Sequence, residues 1–219
     1  MLPEVTLSRR LASEAVGTAL LVAAVVGSGI MGERLSGGNA AIALLANSLA
    51  TGAALVALIL AFEPAAHFNP LVTIVSAWRR ETSWRNVAPI AAVQVAGALA
   101  GVAFANLMFG EPAFFASRHA RQGSSQLLSE AVATFGLLLT VFACRRPTAF
   151  AVAAYITAAY WFTASTSFAN PAVTLARCAT DTFSGIRPAD APAFIAAQAV
   201  GAAAAALLCR WLIPNKEPS

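Results

Sequence analysis

Two Asn-Pro pairs interrupt an otherwise apolar chain, in FNPLVTI at 68–74 and in ANPAVTL at 169–175. Asn-Pro ordinarily marks a turn. A turn surrounded by hydrocarbon leaves backbone N–H and C=O groups without partners, so such backbone must be buried in protein or line a wet cavity. No other feature of the chain restricts its fold as strongly.

The surroundings are indeed apolar. Of 219 residues 58% are hydrophobic and only 11% charged, with a mean hydropathy of +0.71; soluble domains carry about a quarter charged residues. Apolar runs cover 11–31, 39–62, 87–109, 126–144, 147–166 and 190–213. Each approaches the roughly 20 residues that a membrane-spanning helix needs. The chain is therefore expected to be a single transmembrane domain over 1–219, all-α, with six transmembrane helices. The first run is too long for a signal peptide and lacks a clear small-residue cleavage site, so it is expected to remain as a helix. Three cysteines, Cys144, Cys178 and Cys209, share no disulfide-like or metal-like spacing and read as helix filler.

The net charge of +4 follows topology rather than a nucleic-acid partner. If six spans alternate, Arg9, Arg10, Arg79, Arg80, Arg85, Arg145, Arg146, Arg210 and Lys216 fall on one side. Arg34, Arg118, Arg121, Arg177 and Arg187 fall on the other. That bias places both termini in the cytoplasm of a cell (inner) membrane protein.

The chain also repeats itself. SEAVGTALL (13–21) returns as SEAVATFGL (129–137), FNPLVTI as ANPAVTL, and APIAAVQVAGALA (88–100) as APAFIAAQAVGAAAA (191–205), in the same order. Each half, 8–110 and 126–213, holds three spans. Three is odd, so the second half enters the membrane from the opposite side, as an inverted repeat whose site lies where broken helices meet. About ten residues follow each asparagine (69–79 and 170–180), enough for a half-helix of roughly 15 Å. Pro70 and Pro171 suit a first helical turn, and Asn69 and Asn170 suit the caps before them. The pattern is six spans plus two re-entrant half-helices that start face to face, which describes a pore. GALAG at 97–101, with Gly201 and Ala205, favours close helix approach.

Two Asn-Pro-small motifs in inverted three-helix halves resemble the aquaporin and aquaglyceroporin (major intrinsic protein) family, from Glu14 to about Trp211. HFNPLVTI keeps the histidine that the family usually has two places before the asparagine. Glu14/Thr18 and Glu130/Thr134 are similar to the family's carboxylates in its first and fourth helices. The resemblance implies a homotetramer in the lipid bilayer with one pore per subunit, conducting water and small uncharged solutes. It implies that Asn69 and Asn170 offer amide hydrogens to the solute. His67 is expected to line the cytoplasmic half of the pore, the alternative being packing under the half-helix, and Glu14 and Glu130 to hold the backbone leading into the half-helices, the alternatives being a proton relay or an ordinary buried acid near a helix end. The helix N-termini, each carrying roughly half a positive charge, would oppose cations there.

Members of the family usually carry an arginine three residues after the second asparagine, and here that residue is Val173. Arg177 follows a turn further out, either lining the outer mouth or pairing and reaching to water. AFEPAAHFNP looks two residues shorter than the usual lead-in, which assigns Thr51 to the second-helix filter position; without that deletion it is Leu49. Ala158 takes the fifth-helix position and Ser167 the loop position. Thr, Ala, Ser and Val form a wide, weakly polar ring without arginine, resembling the arsenic-associated aquaglyceroporins. The implied solutes are metalloid hydroxides such as arsenite or boric acid, glycerol and urea, with water selectivity as the alternative. Loss of the fixed charge implies weaker exclusion of protons and small anions.

A coupled secondary transporter also uses inverted repeats and broken helices, but needs ion-coordinating groups beyond Glu14 and Glu130. A non-conducting adhesion protein would need larger loops. No Ser/His/Asp set, metal-ligand spacing or phosphate loop occurs in the spans, so no enzyme, metal or cofactor is expected. His119 reads as a solvated residue of the loop GEPAFFASRHARQGSS.

Overall fold

The computed structural model describes residues 6–63, 65–144 and 148–212. Arg145, Arg146 and Lys216, counted in the charge bias, lie outside the described residues. Eight helices form: α1 (Leu7–Leu35), α2 (Ala40–Phe62), α3 (Pro70–Trp78), α4 (Trp84–Met108), α5 (Ser124–Ala143), α6 (Thr148–Phe162), α7 (Pro171–Arg177) and α8 (Ala191–Leu212). No strand occurs among the described residues. Six helices match the six apolar runs, and α3 and α7 match the two half-helices. Five of the six are long and apolar enough to cross a membrane. The sixth, α6, has 15 residues. It stops at Phe162 because Thr166, Ser167 and Ala169 take left-handed backbone conformations, so 163–169 cannot continue a right-handed helix.

Each half-helix begins as its residues dictate. Proline at the first helical position lacks only an N–H that would have no intrahelical partner anyway. Asn69 Oδ1 accepts from Leu71 N at 3.0 Å, and Asn170 Oδ1 from Ala172 N at 3.0 Å. Both asparagines are extended, which turns the chain sharply into the helix.

Packing follows the repeat. α1 runs along α4 and α5 along α8, while α2 and α6 join the two sets. α3 packs on α4 and α8, and α7 on α8 and α4, so each half-helix is clamped by long helices from both parts of the chain. The close crossings depend on glycine. A methyl group added at Gly97 would run into the Ala15 carbonyl, one at Gly101 into that of Ala19, and one at Gly201 into that of Ala131. Large apolar residues such as Leu20, Leu49, Phe104, Leu128 and Val200 point outward, as hydrocarbon solvent requires. The end of the bundle where α1 begins is called the near face, and the end where it finishes the far face.

The lead-ins to α3 and α7 are the irregular backbone that must be satisfied inside this apolar bundle. Glu14 Oε1 accepts from His67 N at 2.8 Å and Oε2 from Phe68 N at 2.8 Å and from Gln94 Nε2 at 2.8 Å. Glu130 Oε1 accepts from Phe168 N at 2.9 Å, and Oε2 from Ala169 N at 3.0 Å and Gln198 Nε2 at 2.6 Å. Both carboxylates are fully buried. Gln94 and Gln198 also donate to Thr73 (3.1 Å) and Thr174 (2.9 Å), which tie to the carbonyls of Asn69 and Asn170. Phe68 and Ala169 have φ of +57° and +49°, a conformation that costs non-glycine residues on the order of 1 kcal/mol and persists only when the surroundings impose it.

Two outcomes are expected. Glu130→Ala removes the acceptor for two buried backbone N–H groups and Gln198, and should cost roughly 3–5 kcal/mol; Glu130→Gln, retaining one acceptor oxygen, should fall between it and wild type in thermal unfolding of detergent-solubilised protein. Gly201→Ala forces α5 and α8 apart at about 1–3 kcal/mol, a fall of roughly 2–10 °C in Tm for a chain of this size. Val200→Ala, on the outward face, should leave Tm unchanged, and an equal drop in both variants would refute the close-contact explanation.

Candidate functional site

α3 and α7 start against one another. Asn69 Nδ2 donates to Ala169 O at 2.8 Å, and Asn170 Nδ2 donates to Phe68 O at 2.7 Å. Each asparagine therefore braces the opposite lead-in with one amide hydrogen, and both side chains border an internal cavity of roughly 360 Å³. An amide carries two hydrogens, so one remains on each asparagine for whatever occupies that cavity.

The cavity reaches from Glu63, Arg79 and Glu81 at the near face to Thr51, Tyr160 and Arg177 towards the far face. α1, α2, α5 and α6 give it an aliphatic wall that includes Leu21, Leu55, Leu137 and Ile156. The lead-ins supply a narrower line of polar groups.

At the near end His67 borders the cavity, and its ring meets Arg10 Nη2 at 3.3 Å through Nε2 and Thr73 Oγ1 at 3.1 Å through Nδ1. Arg10 Nη2 also donates to Thr82 at 3.1 Å. Arg10 Nη2 also lies 3.4 Å from His67 Nδ1, so this donor faces both ring nitrogens. Arg79 lies over the Phe142 ring at 5.0 Å and pairs with Glu81 at 2.8 Å, framing the near opening.

At the far end Thr51 borders the cavity, whereas Leu49 is 57% exposed on the outside of α2. Ser167 and Val173 border it as well. Ala158 does not: it is exposed on the outer side of α6, and from that helix Tyr160 borders the cavity, its hydroxyl 3.1 Å from Thr51 Oγ1. Two positions along a helix turn a side chain by about 200°, so a small registration error exchanges the inward and outward faces. The far section thus carries a phenol where a methyl group was expected.

Arg177 is buried and borders the same section. Its Nε donates to Ser184 O, and its guanidinium lies 3.4 Å from the centre of the Phe168 ring. Arg121, from the loop between α4 and α5, reaches the same ring at 5.0 Å, donating to Gly185 O at 2.9 Å and Ser165 O at 3.1 Å. Burial lowers the Arg121 guanidinium to about 10, which leaves it cationic at neutral pH. The loop is held by backbone bonds from Phe115 to Ala179 (3.0 Å), from Ser117 to Cys178 (2.9 Å) and from Arg187 to His119 (2.8 Å). His119 itself is exposed, and partial burial, followed by the charges of Arg121 and Arg177, holds its pKa below 6.5.

Four contributors escaped the sequence: Gln94, Gln198, Tyr160 and Arg121. For the glutamines a signal existed, because APIAAVQVAGALA and APAFIAAQAVGAAAA each contain one glutamine in an otherwise apolar stretch. Tyr160 and Arg121 had no such pairing. Among the described residues no cluster of His, Cys, Asp and Glu is arranged to hold a metal ion.

Comparison with known proteins agrees with this architecture. The model of the family described as "Major intrinsic protein" matches residues 1–149 and 145–218. The chain is 52% identical to Aquaglyceroporin AqpS of Rhizobium meliloti (strain 1021) over 221 aligned residues, covering 98% of this chain and 94% of that protein. It is 34% identical over 99 residues to Aquaporin NIP3-1 of Oryza sativa subsp. japonica, covering 44% of this chain and 31% of that protein. Among solved structures, the aquaglyceroporin from Plasmodium falciparum matches its fold with a TM-score of 0.67 at 17% identity, over 96% of this chain and 97% of that one. With the family model spanning nearly the whole chain and a full-length relative at this identity, the protein is a multi-pass membrane channel of the major intrinsic protein family.

Proposed function

We propose that this channel passively conducts small uncharged, oxygen-bearing solutes, namely metalloid hydroxides such as arsenite, glycerol and urea, together with water. The observation that carries the proposal is Val173. It puts a short apolar side chain on the cavity wall beside Thr51 and Ser167, where a bulky cation would narrow the path. The long aliphatic wall suits a carbon or metalloid skeleton, and the line of donors from Asn69 and Asn170 suits its hydroxyls. The 52% identical relative is named as an aquaglyceroporin, in keeping with a solute range wider than water.

In this proposal the two Asn-Pro starts meet near the membrane midplane, and the halves 8–110 and 126–213 form the inverted repeat. The near face is cytoplasmic, since Arg9, Arg10, Arg79, Arg80, Arg85 and Arg210 gather there. Four copies assemble through their outward apolar faces, each with its own pore. A water-selective channel is the second possibility, favoured by the Thr51–Tyr160 contact, which brings a phenol into the far section.

Uptake by proteoliposomes of water, glycerol, urea and arsenite, measured side by side, separates the two. Wild type should accelerate all four over empty vesicles. Val173→Arg should cut glycerol and arsenite flux by roughly tenfold while changing water flux by less than about threefold. Uptake of water alone by wild type would establish the water-selective channel instead. Flux that followed an imposed proton or sodium gradient would indicate coupled transport.

A further inference from the structure

Arg177 is buried to 2% exposure, yet it borders the cavity. Of its five N–H donors only the one on Nε has a hydrogen-bond acceptor among the described residues, the carbonyl of Ser184. Neither Nη is closed off from the surface as a buried, partnerless atom. The fork of four remaining N–H groups is therefore open to the cavity, and its partners must be water or the passing solute. A buried guanidinium left without partners would be severely penalised, so the cavity itself must solvate this one.

The charge also has no carboxylate in direct contact, and Glu130 acts on it only from a distance. Among the described residues no carboxylate forms an ion pair with Arg177. The acids nearby are engaged elsewhere. Glu130 accepts from two backbone N–H groups and Gln198, Asp181 accepts from Arg118, and Asp190 from Arg187 and the Arg121 backbone. Arg121 is likewise bonded through its side chain only to carbonyls and the Thr166 hydroxyl. Two buried cations thus share the Phe168 ring at one end of the cavity. In a low-dielectric setting such charges act over longer distances than in water.

Arg177 follows Val173 by four residues, so the two lie on one helix face with the arginine about 6 Å further out. Its aromatic support and its bond to Ser184 fix the guanidinium in place without filling the position beside Thr51 and Ser167. Steric width and positive charge, which a single arginine at position 173 would combine, are separated here by one helical turn.

We propose that Arg177 is the cation barrier of this pore and the chief hydrogen-bond donor to solutes in its far section, a role that rests on the cavity being the conduction path. Protons and metal cations are repelled by its charge, while neutral oxygen-bearing solutes pass over its free N–H groups. The leak expected from the absence of an arginine at position 173 is thereby suppressed.

The test measures proton conductance in proteoliposomes under a clamped membrane potential, beside glycerol and water flux in the same vesicles. Arg177→Gln should raise proton conductance roughly tenfold or more, while Arg177→Lys, retaining the charge, should stay close to wild type. Neutral-solute flux should persist in both. Glycerol flux with no rise in proton conductance for Arg177→Gln overturns the barrier and leaves the channel intact; absence of any wild-type solute flux overturns the conduction path itself. Should neither variant reconstitute, wild-type protein treated with methylglyoxal, a small neutral dicarbonyl that modifies guanidinium groups, carries the test through peptide mass mapping. An adduct on Arg177 is expected, with glycerol uptake slowed in proportion. An unmodified Arg177 under conditions that fully modify Arg118, whose side chain is 91% exposed, would overturn the proposal.

Discussion

Everything in this molecule depends on satisfying a few backbone N–H groups where no bulk water reaches. The lead-ins at 67–69 and 168–170 are neither helix nor strand, and each carries a left-handed residue, Phe68 in one and Ala169 in the other. Glu14 and Glu130 resolve the problem by taking two N–H groups each, with Gln94 and Gln198 holding the carboxylates in place. Removing either acid would leave donors unsatisfied in a low-dielectric interior, where such defects weigh most. The acids are therefore framework: once they are in place, the prolines and asparagines can launch two short helices towards each other.

The same economy of polar groups shapes the cavity. Asn69 and Asn170 serve two purposes, because one amide hydrogen braces the opposite lead-in and the other is left for the cavity. At the far end the polar groups come from three separate segments: Thr51 from α2, Tyr160 from α6, and Arg177 from α7. A further arginine, Arg121, enters from a loop between helices that contributes nothing to the span count. The polar groups that border the cavity are thus brought together from segments whose sequence separation bears no relation to their separation in space.

That distribution explains which parts were legible beforehand. The six spans follow from hydrophobic run lengths, and the half-helices from the capping chemistry of Asn-Pro, both local properties. The boundaries of α6 were not legible, because 163–166 is a short continuation of an apolar run whose unwinding is imposed by the lead-in to α7. Thr51 was placed by counting residues back from a motif in the adjoining loop. Ala158 was placed by the same counting and faces outward, because a two-residue difference on a helix reverses the face. The loop holding Arg121 read as a solvated connection; its backbone bonds to 178–179 and 187 are long-range, and nothing local signals them.

By itself, then, the sequence determined that this chain spans a membrane, that it is built of two similar parts, and that each part starts a short helix at an Asn-Pro pair. Hydrophobic transfer and backbone hydrogen bonding leave a chain of this composition few alternatives, and both act over neighbouring residues. The tertiary structure decided what the cavity presents to its contents: Tyr160 in place of Ala158, an open guanidinium on Arg177, and Arg121 behind it. Those choices depend on helix rotation and loop docking, which are set by glycine-mediated contacts such as Gly201 on Ala131 and by hydrogen bonds between segments far apart in the chain.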